Sequence, residues 1–74
     1  MKFDLPDLCV IPLADTPDWY NGWSGANNGN GHTCHEYVVK KWCSNGAVVS
    51  GSEWTLGAEF NYPELNCYNC GKPC

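Results

Sequence analysis

The chain of 74 residues contains six cysteines and no arginine, and its formal net charge is −4. Nucleic-acid binding requires a basic surface that neutralises phosphates, so this composition argues against a nucleic-acid partner. No apolar run approaches the roughly 20 residues that a membrane-spanning helix requires, and we therefore expect no membrane insertion.

The cysteines indicate how so short a chain is stabilised. A chain of this size buries only about 60% of the surface that its unfolded form exposes, and each disulfide typically contributes about 2–4 kcal/mol. An even number of cysteines therefore predicts three disulfides and an oxidising, extracellular location. Spacing selects no pairing, although Cys67 and Cys70, if they share one helical turn, should bond to other partners. The predicted disulfide residues are Cys9, Cys34, Cys43, Cys67, Cys70 and Cys74.

Metal ligation is the alternative use of these cysteines. The tail Cys67-Tyr-Asn-Cys70-Gly-Lys-Pro resembles the first half of a retroviral zinc knuckle, but the second half of that motif is missing. A different tetrahedral site stays open, because His and Cys are ordinary zinc ligands. We favour disulfides and predict neither a metal nor a cofactor. The ligands of the alternative site would come from His32, Cys34, His35, Cys67 and Cys70.

The amino-terminal third of the chain reads as irregular. Residues 1–18 interleave apolar residues with three prolines, which predicts an extended or turn-rich arm that Cys9 would attach to the core. Residues 24–31 consist almost entirely of Gly, Asn and Ser. Such a composition predicts an exposed, mobile loop.

The clearest helix is predicted from about Thr33 to Ser44. Thr33 and Glu36 have the spacing of a capping box, and Gly46 is a suitable helix stop. Helical spacing places one set of apolar residues on a single face. This face carries Cys34, Tyr37, Val38 and Trp42.

A second, shorter helix is predicted over about residues 63–70, because Pro63 suits a first helical turn and Gly71 follows its end. Residues 47–56 fit either a short hairpin or an irregular crossing segment. The sequence therefore predicts one small, disulfide-rich, mainly α domain over residues 1–74, with two short helices and long irregular segments.

Catalysis is not expected from this sequence. The chain has two histidines, no recognisable nucleophile motif and no glycine-rich phosphate loop. A chain of this size also rarely has room for a catalytic cleft between two carboxylates. We therefore predict that the protein is not an enzyme.

Aromatic side chains are the best candidates for a binding surface, because Trp and Tyr rings stack on sugars or anchor protein partners. We expect Trp42 and Trp54 to fill the interior. The aromatic residues beside the Gly/Asn loop are expected to be partly exposed. The candidate binding residues are Trp19, Tyr20, Trp23, Asn28 and Asn30.

Several short motifs follow one another after the first cysteine. They are Pro17-Asp18-Trp19, His32-Thr-Cys34-His-Glu-Tyr37, Trp42-Cys43 and Asn66-Cys67-Tyr-Asn-Cys70-Gly71. This order resembles a small cysteine-rich extracellular domain that is common in protist and algal proteins. The chain departs from that pattern where Tyr68 and Asn69 separate two cysteines.

As a free-standing acidic and Asn-rich polypeptide, the chain is also similar to the water-borne mating pheromones of ciliates. That resemblance implies a helix-containing, diffusible signal that binds a cell-surface receptor, with a shared cysteine frame and loops that confer identity. The amino terminus contains no apolar signal-peptide core, so a secreted form is expected to have lost its signal already.

We therefore expect a secreted signalling polypeptide whose partner is a cell-surface receptor, with weak self-association as a further property. The alternative is an extracellular adhesion or carbohydrate-binding module that uses exposed Trp and Tyr. A secreted toxin or inhibitor ranks third, because membrane-active defence peptides are usually basic and this chain is acidic.

Overall fold

The computed structural model describes residues 14–73. Most of the predicted amino-terminal arm, including Cys9, lies outside the described residues, and so does Cys74. Within residues 14–73, no helix combines the length and the apolar character that crossing a membrane requires.

Two short helices and one small hairpin make up the regular structure of residues 14–73. Helix α1 spans Cys34–Val39 and helix α2 spans Pro63–Asn66, while strands β1 (Cys43–Ser44) and β2 (Ala47–Val48) pair antiparallel. Irregular segments connect them, so the predicted fold class of a small disulfide-rich domain is confirmed. Single 3₁₀ turns occur at Asn27–Gly29, Glu53–Thr55, Ala58–Phe60 and Tyr68–Cys70.

Helix α1 begins at the predicted capping box. The Thr33 hydroxyl accepts a hydrogen bond from the Glu36 amide at 3.1 Å, and the Glu36 carboxylate accepts one from the Thr33 amide at 3.0 Å. These two bonds satisfy amides that the first helical turn leaves unpaired.

Helix α1 ends at Val39, five residues before the predicted end at Ser44. Lys41 has a φ of 61°, and the Lys41 and Trp42 amides donate to the Val38 and Tyr37 carbonyls. This is the Schellman pattern, in which a left-handed residue closes the helix, here with lysine in the usual place of glycine.

The hairpin turns at Asn45 and Gly46, where the sequence predicted only a helix stop. Both residues have positive φ values, 53° and 88°, as a two-residue hairpin turn requires. The register pairs Cys43 with Val48 and Ser44 with Ala47. The hairpin therefore begins four residues earlier than the predicted range of 47–56, whose remainder is irregular apart from a 3₁₀ turn.

Two disulfides fix these elements to the carboxyl-terminal segment. Cys34 of α1 bonds to Cys67, and Cys43 of β1 bonds to Cys70. The sequence separations of 33 and 27 residues correspond to about 3–4 kcal/mol of stabilisation each in the loop-entropy description. As expected, Cys67 and Cys70 bond to other partners. The alternative zinc site is wrong in its use of Cys34, Cys67 and Cys70 as ligands, because their sulfurs form disulfides.

The predicted second helix is divided at Cys67. Helix α2 stops at Asn66, and Cys67 adopts an extended conformation with φ of −108° and ψ of 122°. The following 3₁₀ turn, Tyr68–Cys70, brings the second cysteine toward β1.

Disulfides and a few aromatic rings form the core. Tyr37 and Cys43 are fully buried, and Trp19 packs edge-on against Tyr37 with ring centroids 5.9 Å apart. Trp42, Val48 and Leu56 pack against this cluster and are partly buried.

The burial of two tryptophans is the reverse of the prediction. Trp19 was expected to be partly exposed, yet it is 8% exposed, and its indole N–H donates to the Asn61 carbonyl at 3.0 Å. Trp54 was expected in the interior, yet it is 61% exposed. It stands on a 3₁₀ turn and meets Trp42 and Phe60 only through edge contacts.

Candidate functional site: an aromatic cleft

An open cleft of about 520 Å³ lies on the described surface. We call it the aromatic cleft, because five of its lining residues are Trp, Tyr or Phe. Its volume lies within the range of about 300–1,000 Å³ that is typical of ligand pockets. The lining residues are Asn21, Trp23, Gly25, His32, Tyr37, Lys40, Trp42, Trp54, Thr55 and Phe60.

Buried polar groups form the floor of the cleft and bond to one another. The Asn21 side-chain amide donates to the Tyr37 hydroxyl at 3.0 Å, and that hydroxyl donates to the Thr55 carbonyl at 2.9 Å. The Asn21 side-chain oxygen accepts from the Trp23 and His32 amides at 3.0 and 2.8 Å. The floor is therefore rigid, and these groups already have partners before any ligand arrives.

Burial raises the pKa of the Tyr37 hydroxyl above its ordinary value. The hydrogen bond from Asn21 opposes this effect, and the charge of Glu64 adds to it. The hydroxyl accordingly stays protonated and keeps donating to Thr55 across the neutral pH range.

One wall of the cleft consists of Trp23 and His32. Their rings stack with centroids 5.3 Å apart and planes inclined by 17°. His32 also meets Trp42 in a T-shaped arrangement, with centroids 5.2 Å apart. Trp23 is 50% exposed. Its ring lies over Gly25, where a Cβ would be only 2.5 Å from Trp23 Cζ2, so only glycine leaves the ring in this position.

Glu36 connects this wall to helix α1 and to the Gly/Asn loop. Its carboxylate accepts from the Thr33 amide and from the Asn27 side chain, each at 3.0 Å, and contacts His32 Nδ1 at 3.1 Å. The hydrogen bond from the Thr33 backbone is the main cause that lowers the pKa of Glu36, partly offset by desolvation and aided by His32 and Asn27. A single carboxylate therefore orients the His32 ring and holds the loop.

Trp42, Trp54 and Phe60 form a second wall, which adjoins the first where Trp42 contacts His32. Trp54 meets Trp42 edge-on at 5.5 Å and Phe60 at 6.2 Å between centroids. Lys40, the residue after α1, holds its ammonium 5.6 Å from the centroid of Trp42, which is cation–π distance. This wall offers a broad apolar face with one positive charge beside it.

Of the predicted binding residues, only Trp23 lines the aromatic cleft. Tyr20 and the buried Trp19 border a separate, shallower depression of about 300 Å³. Asn28 and Asn30 are exposed on the Gly/Asn loop, outside the cleft lining. Binding by these five residues stays a prediction.

The predicted binding residues did not include the second wall or its lysine: Lys40, Trp42, Trp54 and Phe60. Trp54 had a readable signal, because turn-forming glycines at 51 and 57 flank it just as glycines flank Trp23. Lys40 and Phe60 had none, since only the tertiary fold brings them to one opening. Within residues 14–73, no three His, Cys, Asp or Glu side chains form a group that could hold a metal ion.

The chain matches no protein-family model, no curated protein and no solved structure in comparisons at the level of sequence and fold. The chemistry of the aromatic cleft is therefore the main indication of function.

Proposed function

We propose that the protein is a secreted, non-catalytic signalling polypeptide of the pheromone type, and that it binds a cell-surface receptor through the aromatic cleft. The observation that carries this proposal is the pair of tryptophans at the opening, Trp23 and Trp54, which are 50% and 61% exposed. A few residues dominate the binding energy of many protein interfaces, and Trp is enriched among them.

The disulfide frame supports the same role. Two cross-links make the backbone around the cleft rigid, and a preorganised surface loses less conformational entropy when it binds. Disulfides persist in oxidising compartments, so the frame is compatible with an extracellular location. The resemblance to ciliate pheromones leads to the same proposal.

A carbohydrate-binding module is the second candidate, since the exposed faces of Trp23 and Trp54 would also stack on sugar rings. Sugars, however, need many hydrogen bonds. The polar floor groups of Asn21, Tyr37 and Thr55 are bonded to one another, which favours the apolar side chain of a protein partner over a saccharide.

Binding to cells of the producing organism tests the proposal. Fluorescently labelled protein should bind saturably, and Trp54→Ser should weaken binding about tenfold or more, as for a central interface tryptophan. Tyr62→Asn is the matched control, because Tyr62 is 46% exposed but outside the cleft, and Asn tolerates its φ of 56°. This control should bind like the wild type.

The two candidates separate in the same assay. Displacement of the labelled protein by soluble saccharides would support the carbohydrate module instead. A natively folded protein that shows no saturable binding to these cells would overturn the receptor proposal.

A further inference from the structure

The aromatic cleft is lined by a lysine, although the whole chain is acidic. The net charge is −4, yet Lys40 is the only Lys, Asp or Glu among the lining residues within the described part of the chain. Lys41 follows directly, whereas the third described lysine, Lys72, lies elsewhere and donates to the Ala14 carbonyl at 2.9 Å. The lining of the cleft is therefore mainly apolar and carries one lysine, on an acidic molecule.

The nearby carboxylates of the described residues do not pair with Lys40. Glu36 is engaged by Thr33, Asn27 and His32. Glu53, next to Trp54, accepts from the Gly51 amide at 2.9 Å and is not part of the cleft lining. The Lys40 ammonium thus has no carboxylate partner within residues 14–73.

Lys40 also determines which ligand charge the cleft favours. Clusters of Trp and Phe rings usually attract cations through their negative faces. Here the Lys40 ammonium already lies 5.6 Å from the Trp42 centroid, so a second cation over that ring would meet like charge. An anion beside the ring would instead meet the ammonium.

We infer that the occupant of the aromatic cleft is a peptide segment of the receptor in which an apolar side chain stands next to a carboxylate. The apolar group packs between Trp23 and Trp54, and the carboxylate pairs with Lys40. This inference rests on the proposed receptor-binding function, and it specifies the chemistry of the partner.

A charge series on one apolar group tests the inference. N-acetylphenylalanine, N-acetylphenylalaninamide and phenylalaninamide share the benzyl group but carry negative, zero and positive charge. Titration of each probe into isotope-labelled protein, followed by the indole N–H signals of Trp23, Trp42 and Trp54, gives three affinities. The anion should bind about two- to fivefold more tightly than the neutral probe, as for an exposed ion pair, and the cation should bind most weakly.

Two lysine variants separate a local contact from general electrostatics. Lys40→Glu should reverse the charge order while the neutral probe still binds. Lys41→Glu makes the same charge change one residue away, outside the cleft lining, and should largely keep the wild-type order. Equal effects of both variants, equal binding of all three probes, preference for the cation, or no binding at the indole signals would each overturn the inference.

The cell-binding assay distinguishes this inference from the proposed function. Receptor binding that is lost in Trp54→Ser but unchanged in Lys40→Glu would overturn the carboxylate pairing and leave the receptor proposal intact. The opposite result is also possible: the wild type binds the anionic probe most tightly but shows no saturable binding to cells. The chemistry of the cleft would then be supported, and its assignment to a receptor would fail.

Discussion

The imidazole of His32 stacks on the indole of Trp23, with the ring centroids 5.3 Å apart and the planes inclined by only 17°. His32 is also held by Glu36, whose carboxylate closes the capping box of helix α1. The first turn of the helix and the first wall of the aromatic cleft are consequently one hydrogen-bonded unit. A change at Glu36 should therefore affect both stability and cleft geometry.

Acidification should remove the stabilising contribution of Glu36. Its pKa is lowered from the ordinary value of 4.5, mainly by the Thr33 amide, so the folded state binds this proton less readily than the unfolded state. The contribution is complete above the unfolded pKa and is lost as the pH falls through the lower, folded pKa. In urea titrations between about pH 5 and about pH 3, the wild type should lose stability more steeply than Glu36→Gln.

Glu59→Gln is the control for this comparison, because it makes the same charge change at an exposed residue on the 3₁₀ turn Ala58–Phe60. Its acid profile should follow that of the wild type. If Glu36→Gln and the wild type lost stability in parallel, the carboxylate would not link the helix cap to folding.

Glycine at position 31 should be needed for space as well as for backbone conformation. Its φ is 103°, and a Cβ there would overlap the Asn21 side chain and the Gly22 and Trp23 backbone. Gly29 has a similar φ of 90° with nothing within 4 Å. Gly29→Ala should cost about 1–2 kcal/mol of backbone strain, and Gly31→Ala about 1–3 kcal/mol more, from overpacking.

Thermal denaturation of both alanine variants measures this difference. The indole signal of Trp23 provides a second readout, since only Gly31→Ala places a Cβ against the Trp23 backbone. Equal losses of stability in the two variants would show that the close approach of Gly31 to Asn21 does not contribute to the free energy of unfolding.

Local signals predicted the start of helix α1, but not its end. The capping box at Thr33 and Glu36 depends only on residues three apart, and the structure confirms it. The pair Asn45-Gly46 suits either a helix stop or a hairpin turn, and a local pattern does not separate them. Pairing of Cys43 with Val48, fixed by the Cys43–Cys70 disulfide, selects the hairpin.

The candidate site was predictable only in part for a related reason. Trp23 was a correct choice for partial exposure, because the Gly, Asn and Ser residues that follow it offer little apolar cover. Trp19 is buried because Tyr37 and the Asn61 carbonyl, both distant in sequence, supply its packing and its hydrogen bond. The second wall depends on contacts that only the folded chain creates.

Removal of the Tyr37 hydroxyl should destabilise the floor of the cleft. This hydroxyl accepts from Asn21 and donates to Thr55 within the core. Tyr37→Phe leaves both of these buried groups unpaired, which costs about 1–3 kcal/mol. Denaturant titration should show this loss, whereas Tyr68→Phe, at a residue 39% exposed, should stay within about 0.5 kcal/mol of the wild type. Equal midpoints for the two variants would contradict the role of the hydroxyl.

The two cysteines outside the described residues should form a third disulfide. Four of the six cysteines are paired, and the prediction that all six are oxidised leaves Cys9 and Cys74 for each other. The adjoining described segments already lie together: the Lys72 ammonium donates to the Ala14 carbonyl at 2.9 Å, and the Thr16 amide donates to the Asn66 carbonyl at 2.8 Å.

Intact mass before and after reduction tests this pairing. Each disulfide removes two hydrogens, so the unreduced monomer should be lighter than the reduced chain by about six hydrogen masses, and thiol alkylation without reductant should add nothing. Peptide mapping should then recover the amino- and carboxyl-terminal peptides as one linked product. A deficit of about four hydrogens with two alkylated thiols would show that Cys9 and Cys74 are free, and a doubled mass that collapses on reduction would show that they join two chains.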